Sequence, residues 1–360
     1  GDSTATTMDI SGLTVLPGII DSHVHFREPG LTHKEDIATG SLAAIIGGVT
    51  TIFEMPNTDP LTVDAKTFTD KMNRAYERSF CDYAFYIGGC ADNADILPEL
   101  EKLEGCAGVK VFMGSSTGAL LAEDDATLER IFASSKRLVA VHAEDEPRLI
   151  ERKALAGNDV ANHPLGRDAQ TALTATTRAL KIARKLNRRL HFLHVTTSDE
   201  MALLAAFKDI ARVETTPQHL SFSAPDCYAT LGTRAQMNPP IRDEQHRRAL
   251  WLAVQNGLVD TLGSDHAPHT LDEKARPYPQ SPSGMPGVQT ILPVMLDHVA
   301  RGNLTLMRLV DLLCHGPARV YQIAGKGRLA VGYDADLAIV DLNKKWTVTD
   351  RAMLSKCGWT

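Results

Sequence analysis

Short apolar, β-branched runs alternate with amphipathic stretches over most of the chain, and this alternation constrains the fold more than any other feature. The strand-like runs fall at 18–25, 50–55, 82–87, 108–113, 138–142, 190–195, 212–216 and 259–265. Between them, apolar spacing predicts helices over 34–46, 63–78, 126–136, 145–156, 168–186, 198–208 and 243–256. Ser198 and Asp125 stand where N-terminal caps belong, and Gly157 and Gly257 stand where helices should stop. Strands alternating with helices are the signature of parallel βα units. Eight units over roughly 250 residues match a closed (β/α)8 barrel of the TIM type. The rival, a doubly wound open sheet, carries a Gly-rich loop after its first strand, and none follows 18–25.

The tail reads differently. Glycines at turn positions and a β-branched end over 325–340 predict short antiparallel strands, with 8–15 as a partner. The expected organisation is a barrel over 18–322 and a small β-module built from 1–17 and 323–360. Both chain ends read as trimmed. Residues 277–286, rich in Pro, Ser and Gly, form a loop near the end of the barrel.

Composition narrows the function classes. With 43% apolar residues in 360, the chain can bury a large core. A net charge of −6 without a basic stripe argues against a nucleic-acid partner. The six cysteines are scattered and form no CxxC pair, which suggests idle thiols in a reducing cytoplasm. No apolar stretch approaches the ~18 residues of a membrane span, and no signal-peptide pattern opens the chain.

The polar residues on this strand map carry the chemistry. His23 and His25 end strand one, Lys110 lies in strand four, His142 ends strand five, His194 ends strand six and Asp265 ends strand eight. In a barrel these ends converge on one mouth, where active sites sit. Any one of them alone reads as a satisfied polar group; together they read as ligands. His-x-His on a strand sends both rings to the same face, and imidazoles there suit a divalent metal such as zinc. Lys110 sits in the apolar run Gly108-Val109-Lys110-Val111-Phe112-Met113. Burial would leave it either ion-paired with a buried carboxylate or neutral and nucleophilic, able to add carbon dioxide. Asp265 can ligate a metal and also accept a proton from water whose pKa a metal has lowered. His163 and His219 read as structural.

These residues together resemble the amidohydrolase superfamily and, within it, the dihydroorotases, from about residue 12 to 340. The resemblance is carried by Asp21-Ser22-His23-Val24-His25-Phe26-Arg27-Glu28-Pro29-Gly30, Met55-Pro56-Asn57-Thr58, the segment 108–118, Val141-His142-Ala143-Glu144-Asp145, Leu193-His194-Val195, Met237-Asn238-Pro239-Pro240-Ile241-Arg242 and Ser264-Asp265-His266-Ala267-Pro268-His269. It implies two divalent metals, zinc by donor type, held by His23, His25, Lys110 as N6-carboxylysine, His142, His194 and Asp265. It also implies reversible opening of dihydroorotate to N-carbamoyl-L-aspartate in pyrimidine synthesis. Water activated between the metals attacks the ring amide, and Asp265 acts as general acid and base. Arg27, Asn57 and His269 would bind the substrate carboxylate, Asn238 would line the ring pocket, and Ser115–Gly118 would form a mobile loop over it. A guanidinium fork suits a carboxylate; the bland reading of Arg27 is a rim ion pair with Glu28 or Glu35. A homodimer and an aspartate transcarbamoylase are the protein partners the resemblance allows. The rivals are a hydantoinase or allantoinase type of cyclic amidohydrolase and a non-catalytic scaffold.

Overall fold

A computed structural model describes residues 6–115 and 120–360. Ten strands organise it: β1 (Thr14–Pro17), β2 (Ile19–Val24), β3 (Val49–Glu54), β4 (Asp82–Gly88), β5 (Cys106–Phe112), β6 (Val139–His142), β7 (Leu190–Phe192), β8 (Ala211–Thr215), β9 (Thr261–Leu262) and β10 (Leu337–Val340). Strands β2 to β9 pair in sequence order, all parallel, in one eight-stranded sheet. The His25 amide donates to the His266 carbonyl at 2.8 Å, so the first strand meets the end of the last and the sheet curls into a (β/α)8 barrel.

The longer outer helices, all but one, begin on a side-chain cap. The capped ones are α1 (Ile37–Ile46), α2 (Ala65–Ala75), α3 (Asp125–Ser134), α4 (Glu146–Ala156), α5 (Ala169–Lys185), α6 (Ser198–Ala205) and α7 (Glu244–Gln255). Asp36, Asp64, Asp124, Asp145, Asp168, Thr197 and Asp243 each accept a backbone N–H of the first turn. The caps of α3 and α6 thus fall one residue earlier than the sequence suggests. Helix α1 starts three residues later than expected, because Asp36 and Thr39 close a capping box.

Strand alternation sorts the core into two shells. Val109, Val111, Val139, Val141, Phe85 and Ile87 belong to one cluster that also holds helix residues such as Leu128, Leu180 and Leu250. Phe53, Met55, Tyr86, Ala140 and Leu193 form a separate, smaller cluster. Lys110 and His142 share the inward parity of Ala140, so the same alternation that buries valines against helices points these two polar side chains into the barrel.

Three features depart from the sequence expectation. Strand β9 is two residues long, because the chain leaves the ladder before Asp265, whose φ is +43°. The partner of β10 is Thr14–Pro17, in an antiparallel two-stranded sheet, so the expected segment 8–15 pairs through Thr14 and Val15 and the strand runs on to Pro17. The last residues, expected in the β-module, return to the barrel: Cys357 and Trp359 are buried with Tyr228, Met237 and Met285. Lys326 ties the two-stranded sheet to the barrel by bonding Asp82 at 2.5 Å and Asp336 at 2.6 Å. No helix among the described residues is long and apolar enough to cross a membrane.

Candidate metal centre and substrate pocket

The six residues expected to be ligands lie at the C-terminal mouth of the barrel, and five of them line one pocket with Lys110 as the sixth: His23, His25, Lys110, His142, His194 and Asp265, together with Phe112, Asn238, Ala267, Ser283 and Gly284. All six are at least nine-tenths buried. Three residues of the mouth adopt left-handed backbone without being glycine: Arg27 (φ 62°), His194 (φ 38°) and Asp265 (φ 43°). Such backbone costs roughly 1–3 kcal/mol per residue and persists only where surroundings enforce it.

The hydrogen bonds determine where each ring presents its lone pair. His25 Nδ1 lies 2.8 Å from Asn57 Oδ1, an acceptor, so this nitrogen carries the proton and Nε2 carries the lone pair. His23 Nδ1 lies 2.7 Å from Glu214 Oε1, which leaves its Nε2 facing inward in the same way. Both Nε2 atoms sit 3.2 Å from Asp265 Oδ1. On the other side, His142 Nε2 is bonded to Glu144 Oε2 at 2.9 Å, and its Nδ1 faces His194 Nε2 at 3.0 Å. With its proton on Nδ1, His25 therefore turns a lone pair on the Asp265 carboxylate at 3.2 Å with no proton between them. A cation relieves that repulsion, and the N/O donor set fits a divalent metal.

The charges agree. Burial depresses the His23 ring, but Asp265 and Glu214 on either side outweigh it and push its pKa up to about 9, so without a metal a proton occupies the cation position. His25, whose second partner is a neutral amide, is pushed down to about 3 by burial. Burial also raises Asp265, yet His23 and His25 hold its carboxyl well below the usual range. Lys110 Nζ is buried, has no hydrogen-bond partner among the described residues and lies 4.5 Å from the Phe112 ring centroid. Burial pushes its pKa down to about 7, only partly opposed by Asp265 and Glu214. No carboxylate forms an ion pair with it among the described residues, so the amine is available for carboxylation.

The other expected residues fall around this centre. Arg27 is buried; its Nε donates to the Pro268 carbonyl at 3.1 Å, and its terminal nitrogen stands 3.3 Å from His269 Nε2. The rim ion pair does not form. Glu28 bonds Arg78 at 2.6 Å, and Glu35 accepts from Ser355, from the Lys356 amide and from Thr39. Asn57 serves His25, and Asn238 lines the pocket next to His163 Nε2 at 3.0 Å. His269 Nε2 meets the Ser283 carbonyl at 3.0 Å. His219 bonds Thr216 and the Pro239 carbonyl, and His163 bonds the Met237 carbonyl and Tyr278, so both support the pocket wall. In the 115–118 loop, Ser115 bonds Glu146 at 2.5 Å; 116–118 lie outside the described residues.

Sequence reasoning missed the two glutamates behind the rings. Glu214 is an acid in the strand Ala-Arg-Val-Glu-Thr, buried at inward parity, which was a usable signal. Glu144 stands two residues after His142 and is braced by Arg167 at 2.5 Å. Carboxylates behind ligating histidines fix the ring tautomer and raise its basicity.

A closed barrel with buried histidines and an aspartate at its mouth defines a metal-dependent hydrolase of the (β/α)8 type. A sequence profile of the Amidohydrolase family matches residues 14–357, and the chain belongs to that family. It is 38% identical to a dihydroorotase of Methanosarcina mazei over 99% of this chain and 81% of that one. It is 37% identical to an allantoinase of Deinococcus radiodurans over 96% of this chain and 80% of that one. Among solved structures, an L-hydantoinase (dihydropyrimidinase) of Arthrobacter aurescens superimposes with a TM-score of 0.91 at 32% identity, covering 99% of this chain and 83% of that one. The chain is a cyclic amidohydrolase, an enzyme of a family that generally works with divalent metals.

Proposed function

We propose that the chain is a dihydroorotase, opening the cyclic amide of (S)-dihydroorotate to N-carbamoyl-L-aspartate, and closing it in the reverse direction, in pyrimidine synthesis. One observation carries the choice within the family: Arg27 is a buried guanidinium beside the ligand cluster with no carboxylate ion-paired to it among the described residues. Burial lowers its pKa only to about 10, so it stays charged at neutral pH. A buried cation without a counter-ion is costly, and a substrate carboxylate supplies one with bidentate geometry.

His23, His25, Lys110 in its carboxylated form, His142, His194 and Asp265 would hold two divalent metals, zinc by donor type. When bound, these metals supply Lewis-acid polarisation of the amide carbonyl and lower the pKa of water. The protein's own groups do the rest. Arg27 grips the carboxylate and so fixes which ring amide faces the cluster. Asn238 and the Ser283–Gly284 wall confine the ring. Asn57 holds His25 through Oδ1 and contributes the second carboxylate contact. Asp265 accepts the proton of the attacking water at a carboxylate oxygen and returns it to the ring nitrogen as the C–N bond breaks. Its ionised state between two imidazoles suits the first of these steps.

Arg27→Ala tests the reading. With dihydroorotate, kcat/KM should fall roughly 100-fold or more, the usual size of losing a buried charge-assisted contact, while bound metal stays at the wild-type level. A carboxylate-free cyclic amide such as hydantoin should lose little. Equal losses on both substrates, or better wild-type turnover of hydantoin or allantoin than of dihydroorotate, would favour the hydantoinase reading.

A further inference from the structure

We infer that Lys274 sets the spacing of the two chain segments that wall the ring pocket, 236–238 and 282–284, and so acts on substrate binding as a positioning residue. The inference rests on the reading of this wall as the ring site, and it holds for whichever cyclic amide the enzyme opens.

The sequence launches this lysine from a turn of its own making. In Thr270-Leu271-Asp272-Glu273-Lys274, Thr270 and Glu273 close a capping box around the single helical turn Leu271–Lys274. Lys274 does not line the pocket itself; it holds the residues that do. Its Nζ donates to the carbonyls of Gln236 at 3.0 Å, Pro282 at 2.8 Å and Gly284 at 3.1 Å. Thr233 Oγ1 donates to the Lys274 carbonyl, which holds the backbone of the lysine as well. The Trp359 ring centroid lies 5.7 Å from Nζ, within cation–π range.

Lys274 is only 1% exposed, and no carboxylate is ion-paired with it among the described residues. Burial lowers its pKa, so keeping a cation here is costly. The cage nonetheless suits the charged form. An ammonium has three hydrogens and meets three carbonyls, whereas a neutral amine would turn its lone pair on one of them. Those carbonyls belong to both segments of the wall, so the cation bridges them. Gln236 makes the same joint directly: its carbonyl accepts from the Gly284 amide at 2.9 Å, and its side-chain nitrogen bonds the Ser281 carbonyl at 2.9 Å and Ser283 Oγ at 3.0 Å. The joint has no slack, since a Cβ on Gly284 would come within 2.4 Å of the Ala267 carbonyl. Asn238, Ser283 and Gly284, carried by these segments, line the pocket beside the ligand cluster. Parting the segments therefore moves the surface the ring leans on. That contact is made in ground state and transition state alike, so its loss raises KM and spares kcat.

The test compares metal-loaded wild type with Lys274→Met, which keeps the length of the side chain but has neither donor nor charge. Kinetics on dihydroorotate and on hydantoin, metal content and urea unfolding are measured on the same samples. Amide hydrogen exchange, read by mass spectrometry, follows peptides covering 233–238 and 281–286, with 139–142 as reference. In Lys274→Met, KM should rise about ten-fold or more, the size of losing charge-assisted hydrogen bonds. Turnover at saturation should stay within about two-fold and metal at the wild-type level. Exchange should quicken about ten-fold or more in 233–238 and 281–286 and stay as in wild type in 139–142. A lysine that only stabilises the fold would lower the urea midpoint and leave KM alone. An unchanged KM, or exchange that quickens equally in 139–142, would overturn the inference. If Lys274→Met yields no folded protein, Lys274→Gln decides instead. Its amide brings two hydrogens and no charge to three carbonyls, so KM should rise about three-fold or more, and a wild-type KM would overturn the inference. If wild type opens neither substrate, the ring-site reading falls and the role in binding falls with it, while the exchange measurement still decides whether Lys274 holds the wall together.

Discussion

Lys110 is a buried amine with no hydrogen-bond partner among the described residues, and this cost in stability supports the idea that it is kept for chemistry. In an unfolded chain a lysine holds its proton to about pH 10.4, whereas Lys110 in the folded, metal-free protein gives it up near 7. Between those values the unfolded state binds more protons at this site, so the Lys110 contribution to the stability of the metal-free protein should rise with pH from 7 towards about 10.4, against the opposite contribution of His23, which is lost as pH rises through about 9. Below pH 7 the penalty is present in full. Lys110→Met removes it, so in carbon-dioxide-free buffer the variant should unfold at higher urea concentration at pH 7, a gain of about 2–4 kcal/mol that shrinks towards pH 10, while hydrolysis is lost. A variant no more stable than wild type at pH 7 would mean that the amine is not strained. At this scale the ligands were legible, because period-two alternation puts His23 and His25 on one face and each ligand near a strand end. Their orienting partners were not. Glu214 lies 191 positions from His23, and no local pattern reports a pairing that only barrel closure creates. The same holds for Lys274 and Gln236, 38 positions apart.

Elements followed the sequence most closely where local chemistry decides them. The capped helices begin on Asp or Thr, so their starts were readable to within a few residues. Asp64 illustrates what such a cap contributes. It accepts from the Thr67 amide at 2.7 Å and closes a capping box, far along the chain from the ligands. Asp64→Ala should lower unfolding stability by about 1 kcal/mol and leave bound metal and KM unchanged; a change in metal content would show that α2 is coupled to the mouth. Strand β9 was the poorest match, since 259–265 is apolar enough to extend, yet only Thr261–Leu262 stays in the ladder. The reason is positional. Asp265 must swing its carboxylate between His23 and His25, and the left-handed backbone that does so breaks the strand.

Across the whole molecule, the chain order of the strands is also their order around the barrel, which is why the fold could be read from alternation alone. The tail could not be read that way. Its glycine-rich pattern announces β10, but Trp359 returns to bond the carbonyl of His269, a contact that depends on the finished shape of the mouth. Everything functional hangs on that mouth gathering four imidazoles, a carboxylate and a buried lysine, a donor set that fits divalent cations. Metal content of the purified protein, measured together with turnover before and after chelation, tests this most directly. About two equivalents of divalent metal per chain are expected, with cyclic-amide hydrolysis lost on chelation and restored by zinc with bicarbonate. Less than one equivalent in a protein that turns over at full rate after chelation would contradict the account.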